Sequence, residues 1–175
     1  MIIDEIQADR LRLAPLDPQR LGVRYVEWLN DPAVNQYLES RLSVQTSDSV
    51  TRYVADNNAA NDAILFGIFE KATSLHIGNI RISKISWMHG HADIGLLIGE
   101  TDRWGKGYAR EAIGSATRAA FETLKLRKLV AGCYVSNGGS FRAFQHCDYR
   151  EVGRLQAHWK NGDHFDDEIL FERLA

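Results

Sequence analysis

The spacing of apolar positions divides the chain into two halves. From Ile64 onward, the segments Ile64–Glu70, His76–Ser86 and Ala92–Ile98 are rich in Ile, Leu and Phe. Turn residues separate them at 71–74 and at His89-Gly90-His91, the pattern of an antiparallel meander. Tyr108–Leu124 then places Ala109, Ala112, Ile113, Ala116, Ala120 and Leu124 at helical spacing. Leu129–Val135 predicts a buried strand, Ser140–His146 a short helix, and Arg154–Trp159 with Glu168–Arg173 a closing pair of strands. Before Ile64 the pattern is weaker. Leu11–Ala14 predicts a first strand and Gly22–Leu29 a short helix. Asn30-Asp31-Pro32 sets a capping side chain before a proline, so a new helical turn starts there. Thr46–Asn57 predicts a helix capped by Thr46 or Ser47, and the polar stretch 57–62 a loop. Strands followed by strand–helix–strand–helix–strand predict an α/β fold, a mixed sheet with helices on both faces. No repeat, linker or low-complexity tract interrupts it, so residues 1–175 read as a single domain.

Composition changes this picture little. The 175 residues carry 21 basic and 23 acidic side chains, a net charge of −2 that drives the chain onto neither nucleic acid nor membrane. Cys133 and Cys147 form neither a C-x-x-C pair nor a disulfide framework, which points to a reducing compartment. No basic-then-apolar leader and no apolar run near the ~20 residues of a bilayer span is present, so the expectation is a soluble, cytoplasmic protein.

The most informative stretch joins the meander to the long helix: Asp102-Arg103-Trp104-Gly105-Lys106-Gly107-Tyr108-Ala109-Arg110-Glu111-Ala112. Two glycines flank a lysine just before a helix N-terminus. Glycine lets the backbone turn its N–H groups toward a ligand, and the helix adds partial positive charge, so this is a phosphate cradle. From Arg103 to Lys128 seven basic residues stand against two acidic ones, which suits either a solvated helix face or attraction of a polyanionic cofactor. Two familiar cradles fail on spacing. A P-loop needs a hydroxyl where Gly107 stands and a leading glycine where Glu100 stands; a dinucleotide fingerprint needs a glycine at Arg110.

Trp104-Gly105-Lys106-Gly107-Tyr108-Ala109 resembles the coenzyme A signature [QR]-x-x-G-x-[GA] of the GNAT superfamily of N-acetyltransferases, with Trp104 in place of the usual Gln or Arg. The wording W-G-K-G-Y-A-x-E-A is similar to the RimJ/RimL-like branch. A second stretch, from Asn137 to Gly153, resembles that family's N-x-x-S-x-x-x-[YF]-x-k-x-G-F-x-x-x-G, one helix and one strand behind the cradle. The resemblance implies the GNAT fold, a central mixed, mostly antiparallel sheet flanked by helices, with two parallel strands splayed into a cofactor cleft. It implies acetyl-CoA as cofactor, held by backbone groups of Leu96, Leu97 and Ile98, by Arg103, Trp104, Gly105, Lys106, Gly107, Tyr108 and Ala109, and by Asn137 and Arg142. Taken alone, Asn137 and Ser140 read as N-caps of that helix; together and in register with the cradle they read as cleft residues, and a cap can do both.

Transfer of an acetyl group to an amine needs a neutral amine, a polarised thioester carbonyl and a proton for the leaving thiolate. Many relatives carry a tyrosine at Phe144, which cannot supply that proton; the resemblance passes the role to Ser140, with Tyr134 or Tyr149 as substitutes. Asp148 stands where relatives have glycine, and Asp tolerates a left-handed backbone better than most residues. Asp93, Glu70 and His91 are the candidates for a base, with Asp93 preferred; each by itself reads first as a solvated strand-end charge, and deprotonation through a water serves equally well. His89-Gly90-His91 reads as a hairpin tip, and no metal site is expected. Tyr25–Leu38 resembles the W-L-N-D-P-x-V-x-x-Y-L opening of RimJ/RimL-like proteins, which caps the acceptor end of the cleft. Trp28 and Tyr37 there either stack on a substrate or pack between helices; Trp159 and Phe165 are further candidates. Five acidic residues between Asp163 and Glu172 favour a cationic amine. The expected partner is a small-molecule amine, such as a nucleotide-linked amino sugar. Alternatives are a protein N-terminus, or acyl-CoA binding without turnover. The branch also implies a possible homodimer.

Overall fold

The structure, a computed structural model, describes residues 3–175. One eight-stranded sheet runs through the chain in the order β1 (Ile6–Gln7), β2 (Leu11–Pro15), β3 (Ile64–Glu70), β4 (His76–Ser86), β5 (His91–Ile98), β6 (Lys128–Tyr134), β8 (His164–Leu174) and β7 (Arg150–Asn161). All neighbours are antiparallel except β5 and β6. That parallel pair is short: His91, Ala92 and Asp93 pair with Lys128, Leu129 and Val130, and no pairing follows. β4 stays paired with β5 out to Ile98, and β8 with β6 out to Tyr134. Beyond Asp93 the sheet therefore splits between β5 and β6.

Strand alternation sends the two sets of side chains into two cores. On one face α4 (Tyr108–Glu122) and α5 (Gly138–Gln145) cover Ile80, Ile82, Ile94, Leu129 and Phe171, with Ala112, Ile113, Ala116 and Ala120 as the inner stripe of α4. Small residues at these positions let the helix lie close to the sheet. On the other face α1 (Val23–Asn30), α2 (Pro32–Asn35) and α3 (Ser47–Ala59) enclose a smaller core of Tyr25, Trp28, Val34, Val50, Val54 and Leu65.

The caps follow the chemistry of their residues. The Asp31 side chain accepts the Ala33 N–H at 2.9 Å, with Pro32 at the first helical position. At α3 the Thr46 hydroxyl accepts the Ser49 N–H while Ser49 Oγ accepts the Thr46 N–H, a reciprocal capping box with serine in the usual place of Glu or Gln. Three expectations need revision. β1 was not foreseen, because two residues offer no period. The helix α3 runs to Ala59, with Asn57 buried where a polar loop was expected; its amide donates to the Tyr53 carbonyl one turn back. β7 is twice the expected length: it lies at the sheet edge with nearly every side chain exposed, so alternation is lost. No described helix is long and apolar enough to cross a membrane.

Candidate active site

The split between β5 and β6 opens into a cavity of about 1510 Å³ that runs from the Gly105–Gly107 loop to Trp159. Leu96, Leu97 and Ile98 line it, on the stretch of β5 that has no partner on the β6 side. Of the backbone groups there, those turned away from β4 lack a ladder and are available to a ligand, except the Ile98 carbonyl, which accepts a side-chain donor from the loop. At the loop end Gly105 and Gly107 have φ of 71° and 82°. No atom lies within 4 Å of a Cβ built at Gly105, so the loop faces open space immediately before the 15-residue helix α4. That combination suits an anion.

The loop is held from below. Glu70, at the end of β3, accepts from Thr73 Oγ1 at 2.6 Å, Tyr108 Oη at 2.5 Å and Arg103 Nη2 at 3.1 Å. These bonds hold its carboxyl down at about 2. Such a group is a strut and not a base, which removes Glu70 from the candidates. The Arg103 guanidinium is committed to Glu70 and Asp102. Trp104 Nε1 donates to the Ile98 carbonyl at 2.8 Å, tying the loop to the end of β5. Lys106 is exposed and outside the cavity lining, and its carbonyl accepts from Arg10. Tyr108 and Ala109 line the cavity at the first turn of α4.

On the β6 side Asn137 Oδ1 accepts the Ser140 N–H at 3.0 Å, capping α5, and Asn137, Ser140 and Arg142 all line the cavity. Phe144 is buried and stacks on Phe171. Tyr149 is buried on the α4 face against Thr117 and does not reach the cavity, so it is no substitute acid. Tyr134 does reach it. Its hydroxyl donates to Glu39 at 2.5 Å, and burial together with that bond pushes its ionisation up to about 12.

At the vertex of the split Asp93 is ion-paired with Lys84 at 2.6 Å. Lys84 reaches it from a bulge in β4, where its φ is 50°. His91 stacks on His89 at the hairpin and lies outside the cavity lining. Trp28 also lies elsewhere than expected. It is 5% exposed, donates to Glu100 at 3.2 Å and covers Gly99, where an added Cβ would fall 2.0 Å from its ring. It belongs to the helix-covered core and cannot stack on an acceptor. Tyr37 lines the cavity; its ring centroid is 5.5 Å from that of Tyr134, and its hydroxyl donates to the Ser136 carbonyl.

A residue not singled out from the sequence stands across the split from Asp93. Glu168, on β8 opposite Tyr134, lines the cavity with its side chain 15% exposed. Desolvation raises its pKa and the nearby Asp93 charge adds to this, opposed by His158 at 3.4 Å, by Trp159 and by Lys84. Gly132 makes room for it: a Cβ there would sit 2.0 Å from Glu168 Oε1.

The sequence of residues 10–150 matches the acetyltransferase (GNAT) domain family. The chain belongs to the GNAT acetyltransferases. It is 25% identical over 174 residues, 98% of this chain and 97% of the other, to the uncharacterized N-acetyltransferase p20 of Bacillus licheniformis. The spermidine N-acetyltransferase of Vibrio cholerae, solved with CoA and spermine, superposes with a TM-score of 0.83 at 21% identity, over 94% of this chain and 95% of that one. Mycobacterium smegmatis RimJ, solved with CoA-disulfide, gives 0.84 at 16% identity over 98% and 88%. At these identities the structural likeness is one of fold.

As an N-acetyltransferase of this family the protein uses acetyl-CoA, and the cleft fits it. The open positive-φ glycines ahead of α4 suit the phosphates, and the unpaired edge of β5 suits an arm bearing amides. Among the described residues no group of three or more His, Cys, Asp or Glu is placed to hold a metal.

Proposed function

We propose that this acetyltransferase transfers the acetyl group of acetyl-CoA directly to the primary amine of a small molecule, with both substrates bound together. The observation that carries the small-acceptor reading is a strap across the far end of the cavity. Arg41 Nη2 donates to the Lys160 carbonyl at 2.5 Å, Tyr37 Oη to the Ser136 carbonyl at 3.2 Å and Tyr134 Oη to Glu39. These bonds tie the segment after α2 to β6 and β7 and narrow the path a polypeptide would need. The acceptor lies among Tyr37, Tyr134 and Trp159, whose rings pack on one another.

Acetyl-CoA supplies the activated acyl group as a thioester. The protein's own residues do the rest. Glu168 takes the proton from the ammonium form of the acceptor: a carboxylate made less acidic by burial is a better base near neutral pH. Asp93 adds negative potential that attracts the amine, and its pairing with Lys84 suits it to that role better than to proton transfer. As the C–N bond forms and the C–S bond breaks, Ser140, at the start of α5, gives its hydroxyl proton to the leaving sulfur and is reprotonated by the proton the amine nitrogen sheds. Backbone groups of Leu96, Leu97 and Ile98, the Gly105–Gly107 loop, Asn137 and Arg142 hold the cofactor, while Arg103 and Trp104 brace the loop. Asn137 and Ser140, bonded to each other at the cleft, argue against a module that only binds acyl-CoA. The reading includes one acetyltransferase domain over residues 1–175, of the RimJ/RimL-like type, acting in the cytoplasm on neither nucleic acid nor membrane.

The test is release of CoA thiol, corrected for hydrolysis, across nucleotide amino sugars, polyamines, amino acids and short peptides. Release with a small amine supports the assignment. Release only with peptides would transfer it to protein N-termini, and binding of acetyl-CoA without release from any amine would overturn it.

A further inference from the structure

The acceptor half of the cavity contains a cation with no carboxylate partner among the described residues. Five arginines are part-buried: Arg12, Arg41, Arg81, Arg103 and Arg173. Four of them meet a carboxylate, namely Glu5 at 2.9 Å, Glu39 at 3.2 Å, Glu70 at 3.1 Å and Asp148 at 3.7 Å. Arg81 has none among the described residues. Its Nε is buried without a hydrogen-bond acceptor, and its guanidinium rests over the Tyr53 ring, 5.9 Å from the centroid. A guanidinium cannot shed its charge as lysine does, so burial without an anion is costly. Two residues along the same strand, Asn79 is 5% exposed. Its Oδ1 is bonded to His76 Nε2 at 2.9 Å, and its Nδ2 is left without a partner.

Both side chains face the cavity. Arg81 stands opposite Gly95 and Asn79 opposite Leu97, on the β5 stretch that borders the split. Gly95 projects no side chain between Arg81 and the opening, and nothing lies within 4 Å of a Cβ placed there. Along β4 the next cavity-facing row is Ser83, opposite Asp93, about 7 Å away at the usual strand rise. The acceptor site is thus polarised. Asp93 and Glu168 form an acidic end near the vertex; the unpartnered Arg81 Nε sits on the next cavity-facing row and the unpartnered Asn79 Nδ2 on the row after that.

We propose that Arg81, assisted by the Asn79 amide, binds an anionic oxygen group of the acceptor, a carboxylate or a phosphate, so that the substrate is an amine that carries its own negative charge. This rests on the acetyltransferase reading above and narrows it. The charge-assisted fork geometry of a guanidinium matches either anion. A polyamine, with no anion, would leave Arg81 unpartnered and add positive charge beside it.

The experiment measures CoA thiol release with matched pairs: phenylalanine against phenethylamine for the carboxylate, and glucosamine 6-phosphate against glucosamine for the phosphate. The anionic member of one pair is expected to have a kcat/KM at least tenfold higher, and the pair that responds identifies the anion. Arg81→Gln should bring that ratio close to one by raising KM for the anionic member, and Arg81→Lys should restore part of it. Thermal unfolding of both variants controls for folding. Amines turned over with no preference for the anionic member, or a preference that survives in Arg81→Gln, would overturn the anion site while leaving the enzyme reading intact. No release from any amine would overturn the enzyme reading, and the anion site with it.

Discussion

Glu168 exposes the conflict between stability and chemistry at a single residue. Its environment favours the neutral carboxyl, so folding binds that proton more tightly than the unfolded chain does. Stability therefore falls as pH rises from the ordinary carboxylate range through the higher folded value, and at neutral pH the ionised group is a net cost. Glu168→Gln removes that charge and retains groups able to bond His158 and Trp159. Its Tm at pH 7.5 should equal or exceed that of the parent, while kcat/KM falls by about 10²–10⁴, the usual range for losing a general base. The parent's kcat/KM should rise with pH through the raised Glu168 value, and this limb should vanish in the variant. A destabilised Glu168→Gln protein of near-normal activity would show that the carboxylate is structural. Thermal unfolding and a pH–rate profile give both readings.

At the level of elements, the cradle depends on a residue outside its motif. Glu70 ends β3, yet its carboxylate joins the loop before Trp104, through Arg103, to the first residue of α4, through Tyr108. Glu70→Gln keeps the shape but weakens the two charge-assisted bonds from Arg103. The loop should loosen, raising the Kd for CoA several-fold in calorimetry with little change in the acceptor's KM. A depressed carboxyl contributes stability that is present above the ordinary carboxylate value and lost as pH falls toward about 2; acid titration of the variant should lack that component. The cradle itself was legible in the sequence because its glycines and helix start are local. The bounds of β3 and β4 were equally legible, since both strands are apolar between clear turns. Long-range pairings were not. Nothing within five residues of Trp28 indicates that Gly99 lies against its ring, and nothing near Glu168 indicates that Gly132 clears a place for it. The acidic tail was visible as charge. Which of its members faces the cleft depends on the register Tyr134↔Glu168 across the sheet, which one strand cannot show.

For the whole molecule, the split sheet makes stability depend on the ligand. Three residue pairs join β5 to β6, whereas β4 and β5 stay in register along most of their length. The two halves of the sheet are otherwise linked through α4, α5 and the strap from Arg41 to Lys160. In the proposed binding mode a cofactor in the split would bond the free edge of β5 and the loop ahead of α4, contacts available only in the folded state. Binding should therefore stabilise by mass action, by about 2.7 kcal/mol at a hundredfold excess over Kd. For a chain of this size, roughly 2–4 °C per kcal/mol gives a rise in Tm of about 5–10 °C. CoA should produce this shift and adenosine alone much less, because only the full molecule spans loop and strand edge. Gly107→Ala offers an internal contrast. At φ 82° a Cβ is strained, at about 1–2 kcal/mol, so the unliganded variant should melt a few degrees lower and gain less from CoA. Equal gains in both proteins would mean that the stabilising contacts lie elsewhere than the loop, and differential scanning calorimetry over a CoA titration decides between them.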